Sequence, residues 1–467
     1  MRYRPGMRGI LSWGTHLPHR RLDRTGIAAV AGTGGGKGTR TVAGFDEDTT
    51  TLGVEAARVA LRDLPGCAPS SLWFATTDPA YLDKTNATAI HAALRLDAAV
   101  PAFDALGSVR STVGAVRAAL GGAGAALVVA ADRRGGLPGS PDEAAGGDAG
   151  SALLLGSEAD GAVLAEVLEF TSITEEFLDR WRTPGDPRAR QWEERYGETR
   201  YTDLGARALA TAFAAAGLDA AAVDHLVVAG PHDRANAAVA KRSGVAPDRV
   251  ADGLTASVGN TGAASLPLLL ASVLERATPG QTIVALSLAD GADALVLRTT
   301  AALAEHRTSR TVAAQVAGGA PIAYGKYLAW RGLLPVEPPR RPEPARPSAS
   351  AAGRSTDWKY GFVGSADASG AVHLPPNADD STPRPMAEAV GTIVTFTIDR
   401  LAYSPSPPVV FAVVDFDGGG RLPVELTDVD ADEVAIGGRV EMTFRRLFTA
   451  DGIHNYFWKA RPVRGEG

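Results

Sequence analysis

Short apolar runs and longer alanine-rich segments alternate along residues 8–300. The short runs are bounded by turn residues and predict buried strands: LWFATT (72–77), GAALVVAA (124–131), HLVVAG (225–230) and TIVALSLAD (282–290). The longer segments predict helices: TLGVEAARVALRDL (51–64), VGAVRAALGGA (113–123), DLGARALATAFAAAG (203–217) and AASLPLLLASVLERA (263–277). This alternation predicts an α/β layer architecture.

One order of elements occurs twice in this region. Residues 105–133 run from a bend through a helix and a Gly-rich turn to a buried strand that ends in Asp132. Residues 257–291 follow the same order and end in Asp290 and a glycine. Two copies of one α/β unit explain the repetition, and the central helix of each copy is then expected to be apolar on all sides because it lies between sheets.

The pattern changes after YGKYLAWRGLL, which ends at residue 334. Residues 335–357 are rich in Pro, Arg and Ser and predict an extended linker. From residue 358 to 467, short alternating segments are separated by Gly, Pro and Asp turns, as in GTIVTFTIDRLAY and EVAIGGRVEMTFRRLF. Several short strands in this length predict a small all-β barrel of the OB type. The chain is therefore divided into residues 1–334, 335–357 and 358–467.

Charge and composition exclude several classes of function. The net charge is −6 with a pI of about 5.8, and residues 358–467 hold 10 Lys and Arg against 15 Asp and Glu, so nucleic-acid binding by the barrel is not expected. No apolar stretch reaches the roughly 20 residues of a membrane helix. The N-terminus carries no apolar run long enough for a signal peptide. The single cysteine excludes a disulfide within the chain, and we expect a cytoplasmic protein.

Four segments carry a resemblance to a known family: GTRTVAGFDEDTTTLGVEAARVAL (38–61), TEEFLDRWRTPGDPRARQWEERYGETRYTDL (174–204), GNTGAAS (259–265) and YGKYLAWRG (324–332). Through them, residues 8–330 resemble the archaeal and bacterial type of 3-hydroxy-3-methylglutaryl-CoA synthase, in the thiolase superfamily beside the ketoacyl synthase III enzymes. The resemblance implies a thiolase fold of duplicated α/β layers, a coenzyme A thioester as substrate and a homodimer formed through the α/β core.

The family mechanism transfers an acyl group from a CoA thioester to a cysteine at a helix N-terminus and then forms a carbon–carbon bond. In this chain Ser108 stands at the cysteine position, in FDALGSVRSTVGAV (103–116), and the only cysteine is Cys67. A serine hydroxyl is far less acidic than a thiol and needs an adjacent base to act as a nucleophile. The alternative is that Ser108 only caps the helix.

Three further residues match the family's site by position. His232 follows the strand HLVVAG, and Asn260 begins the loop GNTGAAS. The resemblance implies that this His and Asn polarise carbonyl oxygens, with His232 as the base for Ser108. Asp78 stands near the family's general-base glutamate, with Asp83 as a nearby rival. Each has a structural alternative: a core histidine, a turn asparagine and a loop-capping aspartate.

Outside these positions, Arg110 lies two residues after Ser108 in a predicted buried helix and must have a partner. The loop AGTGGGKGTR (31–40) fails the P-loop pattern at Ala31 and Gly38 and predicts a surface loop.

The C-terminal part resembles the DUF35 OB-fold proteins that accompany thiolases and these synthases. Those proteins carry a zinc ribbon before the barrel, but Ala366 and Ser369 stand here where the first cysteines would be. Only His373 remains as a ligand, so we expect no zinc.

Two functions of different classes follow from the sequence. In the first, the protein is an acyl-CoA-dependent acyltransferase or condensing enzyme in which Ser108, His232, Asn260 and Asp78 act on the thioester; one version has no covalent step and performs aldol or retro-aldol chemistry. In the second, it is a non-catalytic thiolase-like subunit that binds CoA esters and a partner thiolase or another acyl-CoA enzyme. The pair His232 and Asn260 favours the first, because a scaffold has no chemical need for it.

Overall fold

The computed structural model describes residues 8–380 and 382–464. Residues 1–7, part of the N-terminal stretch considered above, lie outside the described residues. The strands of the first part of the chain are β1 (Arg8–His16), β2 (Arg20–Asp23), β3 (Thr39–Val42), β4 (Ser71–Thr76), β5 (Ala102–Leu106), β6 (Ala126–Arg133), β7 (Asp148–Ser157), β8 (Ala165–Ile173), β9 (Arg180–Trp181), β10 (Arg190–Gln191), β11 (His225–Ala229), β12 (Thr282–Leu288), β13 (Ala292–Thr299) and β14 (Ala320–Ile322).

The helices of this part are α1 (Thr25–Ala31), α2 (Thr49–Arg62), α3 (Ala87–Ala93), α4 (Ser111–Gly121), α5 (Pro141–Ala145), α6 (Glu194–Ala216), α7 (Asp233–Arg242), α8 (Ser265–Leu274), α9 (Val312–Ala317) and α10 (Tyr324–Trp330). Each predicted strand and helix of the first part therefore exists, with boundaries shifted by a few residues. The exception in length is α6, which begins nine residues before the apolar pattern at residue 203 because its first turns are polar.

In the described chain, one sheet has the strand order β11-β12-β13-β8-β1-β7-β6-β4-β5. The two halves of this sheet have the same pattern of pairing. In one half β4 and β6 are parallel and β6 and β7 are antiparallel. In the other half β11 and β12 are parallel and β12 and β13 are antiparallel. This is the duplicated α/β arrangement of the thiolase fold, which confirms the predicted fold class.

The two central helices differ in burial. Helix α8 is buried on nearly every side, as predicted, from Ser265 to Leu274. Helix α4 is buried on one side only, because Gly114, Arg117 and Ala118 are exposed. The expectation of an apolar surface all round is therefore wrong for α4, whose outer face has no sheet against it in the described chain.

The second part begins with the Pro-rich stretch, whose end forms two short helices, α11 (Ala349–Arg354) and α12 (Thr356–Lys359). A small sheet follows, with β15 (Val363–Ala366) between β16 (Val372–His373) and β17 (Thr382–Pro385). The strands β18 (Val390–Asp399), β19 (Val409–Phe416), β20 (Arg421–Leu426), β21 (Arg439–Ala450) and β22 (Ile453–Pro462) then form a closed barrel in the order β18-β19-β20-β22-β21. The predicted OB-like barrel is confirmed.

The barrel packs directly on α2 through apolar side chains. One hydrophobic cluster contains Leu52 and Ala56 of α2 together with Phe444 and Trp458 of the barrel. Trp458 is fully buried, and the guanidinium of Arg58, on α2, lies 4.8 Å from the centre of its ring. The two parts of the chain therefore share a core and are joined by more than the Pro-rich stretch.

A buried network of opposite charges completes this interface. The acidic residues come from α2 and from the segment that leads into it, and the basic residues come from β21 and β22. Arg445 lies 2.8 Å from Glu47, and Lys459 lies 3.0 Å from Asp46. Arg461 lies 3.1 Å from Glu55, and all of these side chains are at least 94% buried. The DEDT run of the sequence is thus an interface motif in this fold.

Candidate active site

Ser108 lies at a sharp bend between β5 and α4. The bend requires Gly107, whose φ of 101° is in the region that favours glycine and whose N–H donates to the carbonyl of Thr76 at 3.1 Å. The Ser108 hydroxyl accepts a hydrogen bond from the Arg110 N–H at 3.2 Å, just before α4 begins at Ser111. It also donates to Asp290 Oδ2 at 2.7 Å. Ser108 therefore contacts the backbone that leads into α4 and, in addition, has a carboxylate beside it.

Asp290 occupies the tight turn between β12 and β13. Its backbone φ is 51°, which a non-glycine residue adopts rarely, and Gly291 follows with a φ of 142°. Arg110 holds this turn, because its Nη1 donates to the Asp290 carbonyl at 2.8 Å. The same guanidinium contacts both carboxylate oxygens of buried Asp293, at 2.8 and 3.2 Å. Asp293 is thus the partner that the sequence required for Arg110.

The pairing of Ser108 with Asp290 has a counterpart in the other half of the fold. Asp132, at the end of β6, corresponds to Asp290 and accepts from the Ala263 N–H at 2.8 Å, just before α8. Each half therefore directs a carboxylate at the start of the other half's central helix. Asp132 is fully buried and also accepts from Thr76 and Thr77, whereas Asp290 is exposed. Burial raises the pKa of the Asp132 carboxyl, mostly by removing water.

A cavity of about 380 Å³ opens beside Ser108 and Asp290. Asp78 lies in its wall, and its carboxylate is 3.2 Å from Nε of Arg133. The remaining side chains of the wall include several arginines and apolar residues: Leu82, Val109, Arg134, Arg180, Trp181, Arg182 and Tyr201. The structure therefore brings two of the four predicted site residues, Ser108 and Asp78, into one cavity.

The arginines of this cavity are held in fixed positions by neighbouring oxygens. Arg180 makes a two-bond contact with the carboxylate of Asp142, at 2.6 and 2.8 Å. Arg134 donates to the Thr77 hydroxyl at 3.0 Å, and Arg182 donates to the Thr77 carbonyl. Fixed guanidinium groups of this kind suit phosphate and carboxylate groups.

His232 is held by two hydrogen bonds, neither of which involves Ser108. It is the N-cap of α7, and its Nδ1 accepts from the Ala235 N–H at 3.3 Å. Its Nε2 lies 3.0 Å from the carbonyl of Glu194, so the proton belongs on Nε2 in this arrangement. The partner of the Ser108 hydroxyl in the structure is therefore Asp290 and not His232.

Asn260 lies in the wall of a second cavity, of about 240 Å³, with Asp233 and Asn236. Its Nδ2 donates to the Gly230 carbonyl at 2.7 Å, and its Oδ1 accepts from the Gly262 N–H at 3.0 Å. The two cavities are neighbours along the chain, because Gly230 lines the second and Pro231 lines the first. Asn260 therefore makes the contacts expected of a turn asparagine, and it also lines a cavity.

Asp290 was not among the predicted site residues, although the sequence carries a signal for it. The repeated order of elements ends in Asp132 in one copy and Asp290 in the other. The helix starts at Ser111 and Ser265 likewise correspond. Placing the two copies face to face would have put each aspartate near the helix start of the other copy.

The small sheet before the barrel has the ribbon's strands without its metal ligands. Ala366 ends β15, and His373 Nε2 lies 3.5 Å from Asp367. The Ser365 hydroxyl donates to Asp380 at 2.7 Å and ties the two ends of the turn. Within residues 8–380 and 382–464, no group of three or more His, Cys, Asp or Glu side chains is placed to hold a metal ion.

None of the helices in the described chain is long and apolar enough to cross a membrane.

Two family descriptions match parts of the chain. The C-terminal domain of 3-oxoacyl-[acyl-carrier-protein] synthase III matches residues 213–298, and the C-terminal OB-fold domain of ChsH2 matches residues 373–445. Hydroxymethylglutaryl-CoA synthase of Aeropyrum pernix is 30% identical over 345 residues, which are 70% of this chain and 95% of that protein. The chain belongs to the hydroxymethylglutaryl-CoA synthase family. The synthase of Methanothermobacter thermautotrophicus is 28% identical and is covered over 99% of its length.

Solved structures share the fold of this hydroxymethylglutaryl-CoA synthase family member. MvaS in complex with 3-hydroxy-3-methylglutaryl coenzyme A is 21% identical with a TM-score of 0.58, and the match covers 74% of this chain and 95% of that one. An HMG-CoA synthase complexed with CoA is 18% identical with a TM-score of 0.57, over 69% of this chain and 89% of that one. The ketoacyl synthase III of Pseudomonas aeruginosa has a TM-score of 0.54, 23% identity and a match to 63% of this chain and 98% of that one.

Proposed function

We propose that this protein is an acyl-CoA-dependent acyltransferase or condensing enzyme of the HMG-CoA synthase type, with Ser108 as the nucleophile and Asp290 as its base. The observation that carries the proposal is the 2.7 Å hydrogen bond from the Ser108 hydroxyl to the Asp290 carboxylate, in the wall of a cavity that also contains Asp78. A carboxylate at this distance is the adjacent base that a serine nucleophile needs. Membership of the family supports a CoA thioester as the substrate.

The proposed acylation balances as follows. The Ser108 oxygen bonds to the thioester carbonyl carbon while its proton passes to Asp290. The carbon–sulfur bond then breaks, and the CoA thiolate takes the proton from Asp290, which leaves an acyl ester on Ser108. The start of α4 favours the negative charge that develops on the carbonyl oxygen. In a condensation, Asp78 would take the proton from the carbon next to the carbonyl of the acyl group on Ser108. That carbon would bond to a carbonyl carbon of the second substrate, whose oxygen would take the proton back from Asp78.

His232 and Asn260 remain in the proposal as residues that polarise a carbonyl oxygen. For His232 this requires that Nε2–H give up its hydrogen bond to the Glu194 carbonyl and donate to the carbonyl oxygen of the substrate. The geometry supports Asp290 over His232 as the first proton acceptor, because the serine hydroxyl donates to Asp290 and His232 bonds other partners.

Intact-mass spectrometry after incubation with acetyl-, propionyl- or acetoacetyl-CoA tests the proposal. The wild type should gain one acyl group, and Ser108→Ala should gain none. Asp290→Asn should acylate at least 100-fold more slowly, the usual order of effect for a lost general base. Ser157→Ala is the matched control, because that serine also donates to an aspartate, Asp160, at 2.8 Å but lies outside the cavity. An adduct that persists in Ser108→Ala would refute the serine nucleophile.

A second candidate function is a non-catalytic subunit that binds CoA esters and a partner thiolase. The internal hydrogen bonds of His232 and Asn260 favour it, since both side chains are satisfied without substrate. This function predicts CoA-ester binding by calorimetry with neither an adduct nor a condensation product, and co-purification of a thiolase from the native host. Aldol or retro-aldol product without an adduct would instead support the version that has no covalent step.

We also propose a homodimer, as the resemblance implies. Strand β5 ends the large sheet, and Phe103 on it is 46% exposed beside the ring of Trp73. An edge strand with an exposed aromatic residue suits pairing with a second copy. Light scattering should give twice the chain mass for the wild type, and Phe103→Asp should lower it; a monomeric wild type would contradict the dimer.

A further inference from the structure

The barrel contacts the candidate active site as well as α2. Strands β21 and β22 form a hairpin whose turn is Asp451 and Gly452. Just after this turn, the His454 N–H donates to the Tyr81 hydroxyl at 2.8 Å, and the two rings lie 5.1 Å apart. Tyr81 belongs to the segment of residues 77–86, which we call the cavity loop because Thr77, Asp78, Pro79 and Leu82 line the cavity.

Inside the cavity loop, Asn86 connects Tyr81 to the strand that leads to Ser108. The Tyr81 N–H donates to Asn86 Oδ1 at 3.0 Å, and Asn86 Nδ2 donates back to the Tyr81 carbonyl at 2.9 Å. Asn86 is 2% exposed, and its side chain also donates to Asp104 at 2.9 Å. Asp104 lies on β5, four residues before Ser108. The hairpin contact is therefore continuous with the bend that carries the nucleophile.

A second contact from β22 reaches the other end of the cavity loop. The Tyr456 hydroxyl donates to Asp48 Oδ2 at 2.7 Å, while the other oxygen of Asp48 caps α2 by accepting from the Thr51 N–H at 3.0 Å. Next to it, the Thr49 hydroxyl donates to the Asp78 carbonyl at 2.8 Å. The backbone of Asp78 is thus held by the helix start that Tyr456 orders.

We infer that the β21–β22 hairpin of the barrel positions the cavity loop, so that Tyr81 and Tyr456 are positioning residues for the site. The barrel is then part of the active-site structure of this chain and not only a docking module. The effect on acyl transfer rests on the proposed function above, but the effect on the loop itself does not. The loop has little other support near its tip, since Leu82 is 71% exposed.

Hydrogen exchange of the full-length protein tests the inference directly. Tyr81→Phe keeps the ring and removes the oxygen that accepts from His454, and Tyr456→Phe removes the donor to Asp48. Each should speed amide exchange within residues 78–86 by about fivefold, the effect of one hydrogen bond, without a comparable change elsewhere in the sheet. Tyr403→Phe is the control, because that tyrosine lies in the barrel between β18 and β19, far along the chain from the hairpin, and should leave this segment unchanged.

Acylation kinetics provide the second measurement. Both variants should lower the acylation rate constant about fivefold at saturating CoA ester, with a smaller change in KM, because the arginines that line the cavity are not replaced. Unchanged exchange in residues 78–86 for both variants would overturn the inference. A wild type that forms no acyl adduct would overturn the proposed function alone, since the exchange result would still decide whether the hairpin positions the loop.

Discussion

Replacing Arg445 is the sharpest test of whether buried charges join the barrel to the first part of the chain. Arg445 is fully buried, and it lies 2.8 Å from Glu47, 3.4 Å from Asp46 and 2.7 Å from Asp428. These carboxylates raise the pKa of Arg445, although burial alone would lower it. Arg445→Met would fill much of the same volume and leave Glu47 with the Gly44 N–H and His16, whose pKa is lowered by burial.

Removal of one partner from a buried ion pair costs about 3–5 kcal/mol, because the other charge stays buried without compensation. We therefore expect Arg445→Met to lose about 3–5 kcal/mol of unfolding free energy. The first part of the chain and the barrel should then unfold in two transitions, where we expect the wild type to unfold in one. Urea titrations followed by circular dichroism and by tryptophan fluorescence measure both effects. The double variant Glu47→Gln/Arg445→Met should regain part of the lost unfolding free energy, because the buried charge that Arg445→Met leaves on Glu47 is then removed as well.

The matched control is Arg421→Met, which removes an arginine of the same barrel from an exposed pair with Asp415. It should change the unfolding free energy little, since exposed pairs contribute weakly. A loss of less than about 1 kcal/mol in Arg445→Met, similar to that of a surface pair, would refute the reasoning that this interface depends on buried charge.

The remaining predictions concern pH and backbone geometry. Burial raises the pKa of Glu275 to about 7 from its ordinary 4.5, so its contribution to stability is largest below pH 4.5 and is lost as pH rises through 7; in Glu275→Gln, urea unfolding at pH 5 and pH 8 should differ less than in the wild type. Arg58 and Arg461 hold the pKa of Glu55 well below its ordinary value, against the opposing effect of burial. The interface should therefore weaken as pH falls below about 4. The Tm of the wild type should then drop more steeply with pH than the Tm of Glu55→Gln. Gly107→Ala should lose about 1–2 kcal/mol and most acylation, because φ of 101° is unfavourable for alanine; unchanged acylation would contradict the role of the bend.

The fold could be predicted from the sequence because its signals are local. The runs at 72–77, 124–131, 225–230 and 282–290 became strands within a few residues of their predicted limits. The bend at Gly107 and Ser108 was visible as small residues between a strand and an apolar helix. The predicted linker, residues 335–357, ends in the short helix α11 and the start of α12, which the Pro-rich composition just before them concealed.

The site was only partly predictable because its contacts join distant segments. Asp290 is 182 residues from Ser108, and the pairing appears only when the two halves face each other. The orientation of His232 depends on the Glu194 carbonyl, on a helix that begins earlier than its apolar pattern. The DEDT run lies in a segment that carries the family resemblance. Its carboxylates pair with basic residues on strands almost 400 residues later in the chain.

The exchange of carboxylates between the two halves explains how a symmetric scaffold gives an asymmetric site. Asp132 and Asp290 are equivalent by topology, and each points at the start of the opposite central helix. In one direction the donor is the N–H of Ala263 and the pair is sealed from water; in the other the donor is the hydroxyl of Ser108 and the pair opens to a cavity. The same topological position is therefore a buried structural contact in one half and a solvent-accessible contact in the other.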